Sequence, residues 1–103
     1  MKIVINKCYG GFGLSKEAVE AIAKEKGIEL GKWNNSFKFY EGFSEYDIHR
    51  NDPVLIKVVE TMGEAANGMC AELSIVEIPD GVEWVIGEYD GREWVAEKHR
   101  TWS

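Results

Sequence analysis

The sequence predicts an α+β fold: a small mixed sheet with two helices on one face, in the order β-α-(β)-α-β-β-β. Three observations carry this. Two segments have apolar residues at helical spacing between recognisable caps. A β-branched run opens the chain. Alternating apolar and acidic residues separated by strong turn signals fill its last third, read as a C-terminal antiparallel meander. At 103 residues the expectation is a single domain, 1–103, a size that buries roughly 60–70% of its unfolded surface.

Lys2 to Asn6 opens as a strand, and Ile3, Val4 and Ile5 offer apolar side chains to both faces, as a central strand does. The strand runs into Cys8-Tyr9-Gly10-Gly11-Phe12-Gly13-Leu14. Ser15 then fits a helix N-cap, with Leu14 and Val19 as a hydrophobic staple. A helix is predicted over Lys16 to Lys26, stopped by Gly27. Ala18, Val19, Ile22 and Ala23 share its inner face, and Glu20 and Lys24 stand four apart outside.

Residues 28–51 show no clear period. Trp33-Asn34-Asn35-Ser36 reads as a turn and Phe37 to Tyr40 as a short edge strand. Asp52-Pro53 starts a second helix, an acidic cap followed by proline at the first helical position. Its apolar stripe is Val54, Leu55, Val58, Val59 and Met62, and Gly63 stops it. Glu64 to Gly68 adds a turn. Strands follow over Ala71 to Ile78, Val82 to Glu88 and Glu93 to about His99, punctuated by Pro79-Asp80-Gly81 and by the hairpin signal Asp90-Gly91. Trp84, Trp94 and Trp102 lie near the uncovered face of such a sheet and make a homo-oligomer a reasonable expectation.

Charge narrows the class of partner. Eighteen acidic against twelve basic residues give a net charge of −6. That disfavours direct binding to nucleic acid or to an anionic membrane. The two cysteines, Cys8 and Cys70, are not closely spaced, and Ile3-Val4-Ile5 is too short for a signal peptide, so reduced thiols in a cytoplasm are expected. Two Cys and two His scattered singly offer no zinc spacing, and no calcium-loop pattern is present. No metal, cofactor or catalytic residue is therefore assigned.

The sharpest candidate site is the glycine loop. Tyr9, Gly10, Gly11, Phe12, Gly13, Ser15 and Lys16 lie between a strand and a helix start, where backbone amides and the helix dipole favour an anion. Tyr9 or Phe12 offers a stacking surface for a base. The pattern departs from the Walker A order, and Lys16 stands where a dinucleotide fingerprint needs its third glycine. The competing reading is a tight turn whose aromatics pack on the core. Two His-Arg pairs, His49-Arg50 and His99-Arg100, add Arg50 and Arg100 as candidate phosphate donors, against local ion pairing with Asp47 or Asp52. Cys8 with either histidine has the residue types of a nucleophile and base, but no third orienting group can be assigned. The acidic, Trp-bearing meander is either a solvated sheet face or a surface that binds another protein.

The stretches Lys7 to Ser15, Arg50 to Leu55, Val76 to Trp84 and Glu88 to Gly91, with the ending His99-Arg100-Thr101-Trp102, resemble short hypothetical proteins of bacteriophage and prophage genomes. The resemblance thins over residues 28–48. What the resemblance implies is context: small phage accessory proteins often bind a host component, and some antagonise host defence, either by binding a defence enzyme or by sequestering a nucleotide signal. The most concrete expectation here is an oligomeric sponge for a phosphate-bearing nucleotide.

Overall fold

The structure is a computed structural model and describes residues 1–98. The expectations placed on His99, Arg100 and Trp102, as ligand donor, strand end or oligomer contact, lie outside the described residues.

The opening strand, β1 (Lys2–Asn6), is the spine of the molecule. Ile3, Val4, Ile5 and Asn6 are all buried, as a strand apolar on both faces requires. Helix α1 (Lys16–Lys26) begins at Ser15, whose hydroxyl accepts from the Ala18 amide, and ends at Gly27 in the left-handed conformation, φ 68°. A two-residue hairpin follows, β2 (Trp33–Asn34) with β3 (Phe39–Tyr40). The Asn34 side chain accepts from the Ser36 and Phe37 amides and so builds the turn. The expected turn at 33–36 and strand at 37–40 are thus displaced by about two residues.

Helix α2 (Pro53–Met62) starts at Asp52, whose carboxylate accepts from the Val54 and Leu55 amides. A 3-10 turn, Gly63–Ala66, extends it. Three strands remain: β4 (Leu73–Glu77), β5 (Trp84–Tyr89) and β6 (Arg92–Glu97).

The α+β class is as the sequence predicts, with two α-helices and small antiparallel sheets. The strand pairing differs from one mixed sheet closed by a meander. β4 pairs antiparallel with β1, from Lys2↔Glu77 to Asn6↔Leu73, while β5 and β6 form a separate hairpin. The reason lies in the link 78–83. Ile78 donates its amide to the Met1 carbonyl, and the Met1 ammonium bonds the Ile78 carbonyl and Asp80. This segment is therefore spent on the chain start rather than on a tight β4–β5 turn. The β5–β6 turn does form at Asp90 and Gly91, both at positive φ.

Val4, Phe12, Leu14, Val19, Ile22, Leu55, Val58 and Val59 make the core between the helices and the β1–β4 ladder. Ile3 and Ile5, on the other face of β1, are also buried. That face of β1 does not wait for a second chain. Among the described residues no helix is long and apolar enough to cross a membrane.

Candidate functional site

β1 has one edge paired with β4; its other edge is closed by the Arg50 backbone and the Glu93 side chain. Val4 donates its amide to the Arg50 carbonyl, and Asn6 donates its amide to Glu93 Oε1 at 2.8 Å. The Arg50 guanidinium grips Glu93 with both nitrogens, at 2.6 and 2.8 Å, and lies 3.6 Å from the centre of the Phe12 ring. Asn6, fully buried, donates to the Cys8 and Gly91 carbonyls and accepts from the Glu72 amide. The strand end, the glycine loop, the segment before α2 and the β5–β6 hairpin thus converge on one polar cluster with its partners supplied from within.

That cluster decides Arg50. Expected as a phosphate donor, it is held by Glu93, with 16% of its side chain exposed, and is absent from the cleft wall described next. It pairs with neither Asp47 nor Asp52; its partner lies 43 residues away.

The glycines of the loop have packing reasons. A Cβ on Gly10 would overlap the Cys70 carbonyl; a Cβ on Gly91 would overlap the Gly11 backbone; one on Gly68 would meet Gly13. Gly11 itself adopts φ 95°, closed to other residues without strain. The amides nearest the helix start are also engaged. Leu14 donates to Glu45 Oε2 at 3.0 Å, Ser15 donates to the Ala66 carbonyl at 2.9 Å, and the Ser15 hydroxyl donates to the Ala65 carbonyl while capping Ala18. The helix start therefore already holds a carboxylate of its own chain.

The loop nonetheless forms one wall of a cleft of about 530 Å3, within the range of small-molecule sites. Gly10, Gly11, Phe12, Ser15 and Lys16 line this wall, whereas Tyr9 and Gly13 do not. Tyr9 is exposed. The facing wall comes from the segment in which the sequence shows no clear period: Trp33, Phe37, Lys38, Phe39, Tyr40 and Phe43. Trp33 and Tyr40 meet edge to face at 4.9 Å, and the Lys16 ammonium lies 5.4 Å from the Trp33 ring centre. Tyr40 also donates its hydroxyl to Glu20; this bond, with burial and the Glu20 charge, pushes the phenol up to about 12. Phe37, Tyr46 and Met69 stand at the rim, each more than three-quarters exposed.

Glu45 belongs to the same cleft and was missed from sequence. Burial raises its carboxyl above the ordinary range, against the opposing pull of the Leu14 amide and the Arg50 charge. The available signal was compositional: six of the twelve aromatic residues fall between Trp33 and Tyr46, in a stretch with no period of its own.

The remaining candidates do not assemble. Cys8 and Cys70 are free thiols; Cys8 Sγ donates to the Cys70 carbonyl at 2.6 Å and lies 3.4 Å from Asn6 Oδ1. His49 is exposed, and its carbonyl accepts from the Asp52 amide. Among the described residues no three His, Cys, Asp or Glu side chains gather in a way that would hold a metal ion. On β5–β6, Trp94 lies across its cross-strand partner Gly87.

Fold and cleft together define a small α+β protein with one aromatic-walled, lysine-flanked hollow. Comparison with protein-family models, with curated proteins and with solved structures finds no match.

Proposed function

We propose that this is a non-enzymatic binding protein of phage type that sequesters a small phosphate-bearing nucleotide in the cleft between the glycine loop and the aromatic hairpin. One observation carries the reading. A cleft of nucleotide dimensions has rings on one side and lysines, Lys16 and Lys38, flanking its glycine and aromatic walls. Rings bind a base through its face whatever its identity, and ammonium groups bind phosphate as point charges. The anion contact rests on these lysines rather than on the Leu14 and Ser15 amides, which the protein itself occupies. The resemblance to phage proteins supports the sequestering role.

The test is calorimetric titration and thermal unfolding with linear and cyclic nucleotides. A bound nucleotide at a hundred times its dissociation constant stabilises the fold by about 2.7 kcal/mol. Lys16→Ala with Lys38→Ala abolishes that gain while the free protein nearly keeps its melting temperature, because the Lys16 to Glu20 pair is exposed and 4.0 Å long and the Lys38 to Asn35 bond is exposed too. A panel without any shift rejects the proposal.

A second reading has its own support. Val85, Tyr89 and Trp94 lie exposed on one face of the β5–β6 hairpin, a surface for a host protein or a second copy of the chain. It predicts co-purification of a partner that Trp94→Ala abolishes.

A further inference from the structure

Glu45 stands out among the groups in the cleft. Its Oε2 accepts from the Leu14 amide. Its Oε1 has no hydrogen-bond partner among the described residues, and no side-chain oxygen there is both buried and unpartnered. Oε1 is therefore not both buried and unpartnered, and Glu45 is one of the residues that line the cleft. An ionised carboxylate only accepts, and half-covered by protein it recovers less from water than a surface carboxylate does. A ligand that fills this hollow must bring donors to it.

We infer that Glu45 reads the base edge and selects guanine over adenine. This rests on the nucleotide reading above and deepens it. Guanine presents two adjacent donors on one edge, its N1–H and its 2-amino group, coplanar and spaced to meet a carboxylate. Oε1 takes one, and the second lone pair of Oε2, beyond that given to Leu14, is available for the other. Adenine presents one donor beside the N1 lone pair, which faces the carboxylate lone pairs and repels them. Hypoxanthine keeps N1–H and lacks the amino group, so it gains half of the contact. The aromatic wall contributes stacking to all three alike, so the discrimination falls to Glu45. The base then lies inward and the phosphate toward Lys16 and Lys38. The raised carboxyl of Glu45 accords with this arrangement.

The experiment is titration calorimetry of the full chain at pH 7.5 with the 5′-monophosphates of guanosine, inosine and adenosine. A good bidentate pair discriminates by about fivefold to a hundredfold, so the guanosine form binds at least about five times tighter than the adenosine form, with the inosine form between. Glu45→Gln collapses the ratio toward one. Its amide oxygen still accepts from Leu14, and its fold is checked by thermal unfolding. Should that variant not fold, Glu45→Asp, which withdraws the carboxylate by one methylene, serves in its place. Equal affinity for guanosine and adenosine forms in the wild type, a preference for adenosine, or a guanosine preference that survives in a folded variant overturns the inference and leaves sequestration standing. Absence of binding by all three overturns the inference, and the wider panel of linear and cyclic nucleotides then decides sequestration.

Discussion

At the scale of single residues, the Arg50–Glu93 pair is the most informative feature. Both charges are largely withdrawn from water, at 16% and 8% exposure. Glu93 is also the buried residue of β6 on which the Asn6 amide depends. Removing one partner of such a pair leaves the other desolvated and alone, which costs about 3–5 kcal/mol. Glu93→Gln should therefore lower the urea midpoint by an amount corresponding to about 3–5 kcal/mol. An unchanged midpoint would show that the guanidinium finds water or another acceptor. Glu45 behaves in the opposite sense. Its folded-state pKa is raised, so its contribution to stability grows as pH falls through that value and is absent at neutral pH. Glu45→Gln should accordingly leave the melting temperature at pH 7 equal to or above that of the wild type, a result expected of a charge kept for binding rather than for folding.

At the scale of elements, caps and periods decided how much could be read in advance. Ser15 and Gly27 bound α1, and Asp52, Pro53 and Gly63 bound α2, because each signal acts on its nearest backbone neighbours. The pairing of β4 with β1 was not legible, since it joins positions from Asn6↔Leu73 to Lys2↔Glu77, far apart in the chain. The cleft was legible in half. Its glycine wall follows from a local motif, but its aromatic wall is a hairpin of two-residue strands, too short for any period to show. The partner of Arg50 was not legible for a related reason: nothing near it in sequence announces Glu93. The Asp52 cap gives a prediction at this scale. Burial pushes its carboxyl up, but bonds from Lys26 and from the Val54 and Leu55 amides outweigh that and leave it below the usual value. The stability it adds is full above the unfolded pKa, roughly 3.9, and is lost as pH falls through the lower folded value. The stability gap between wild type and Asp52→Asn, from urea melts, should be widest near neutrality and narrow below about pH 4.

Across the whole molecule, stability is unevenly spread. The helices, β1 and β4 share the core, whereas β6 meets β1 and β5 packs against β6. A two-stranded ribbon has little independent stability in water. Native-state hydrogen exchange should therefore find the β5 amides opening at lower free energy than those of β1, with β6 held in part through Glu93. Uniform protection across both would mean that the hairpin is covered, as a second copy or a host protein seated on Val85, Tyr89 and Trp94 would cover it. Repeating the measurement across a range of protein concentrations separates self-association from a partner.

The contact between Gly68 and Gly13 bears on chemical ageing. Asparagine followed by glycine deamidates readily in loose peptides, because the glycine nitrogen attacks the asparagine side chain and closes a succinimide ring. In Asn67-Gly68 that nitrogen donates to the Gly13 carbonyl at 2.9 Å, while the Asn67 oxygen is engaged by the Leu73 amide at 2.9 Å. Both reacting groups are held in other bonds at the edge of the cleft. Conversion of Asn67 to aspartate and isoaspartate, followed by peptide mapping during storage, should be slow in the native protein and fast once urea frees the loop, so this one position can serve as a clock for time spent unfolded.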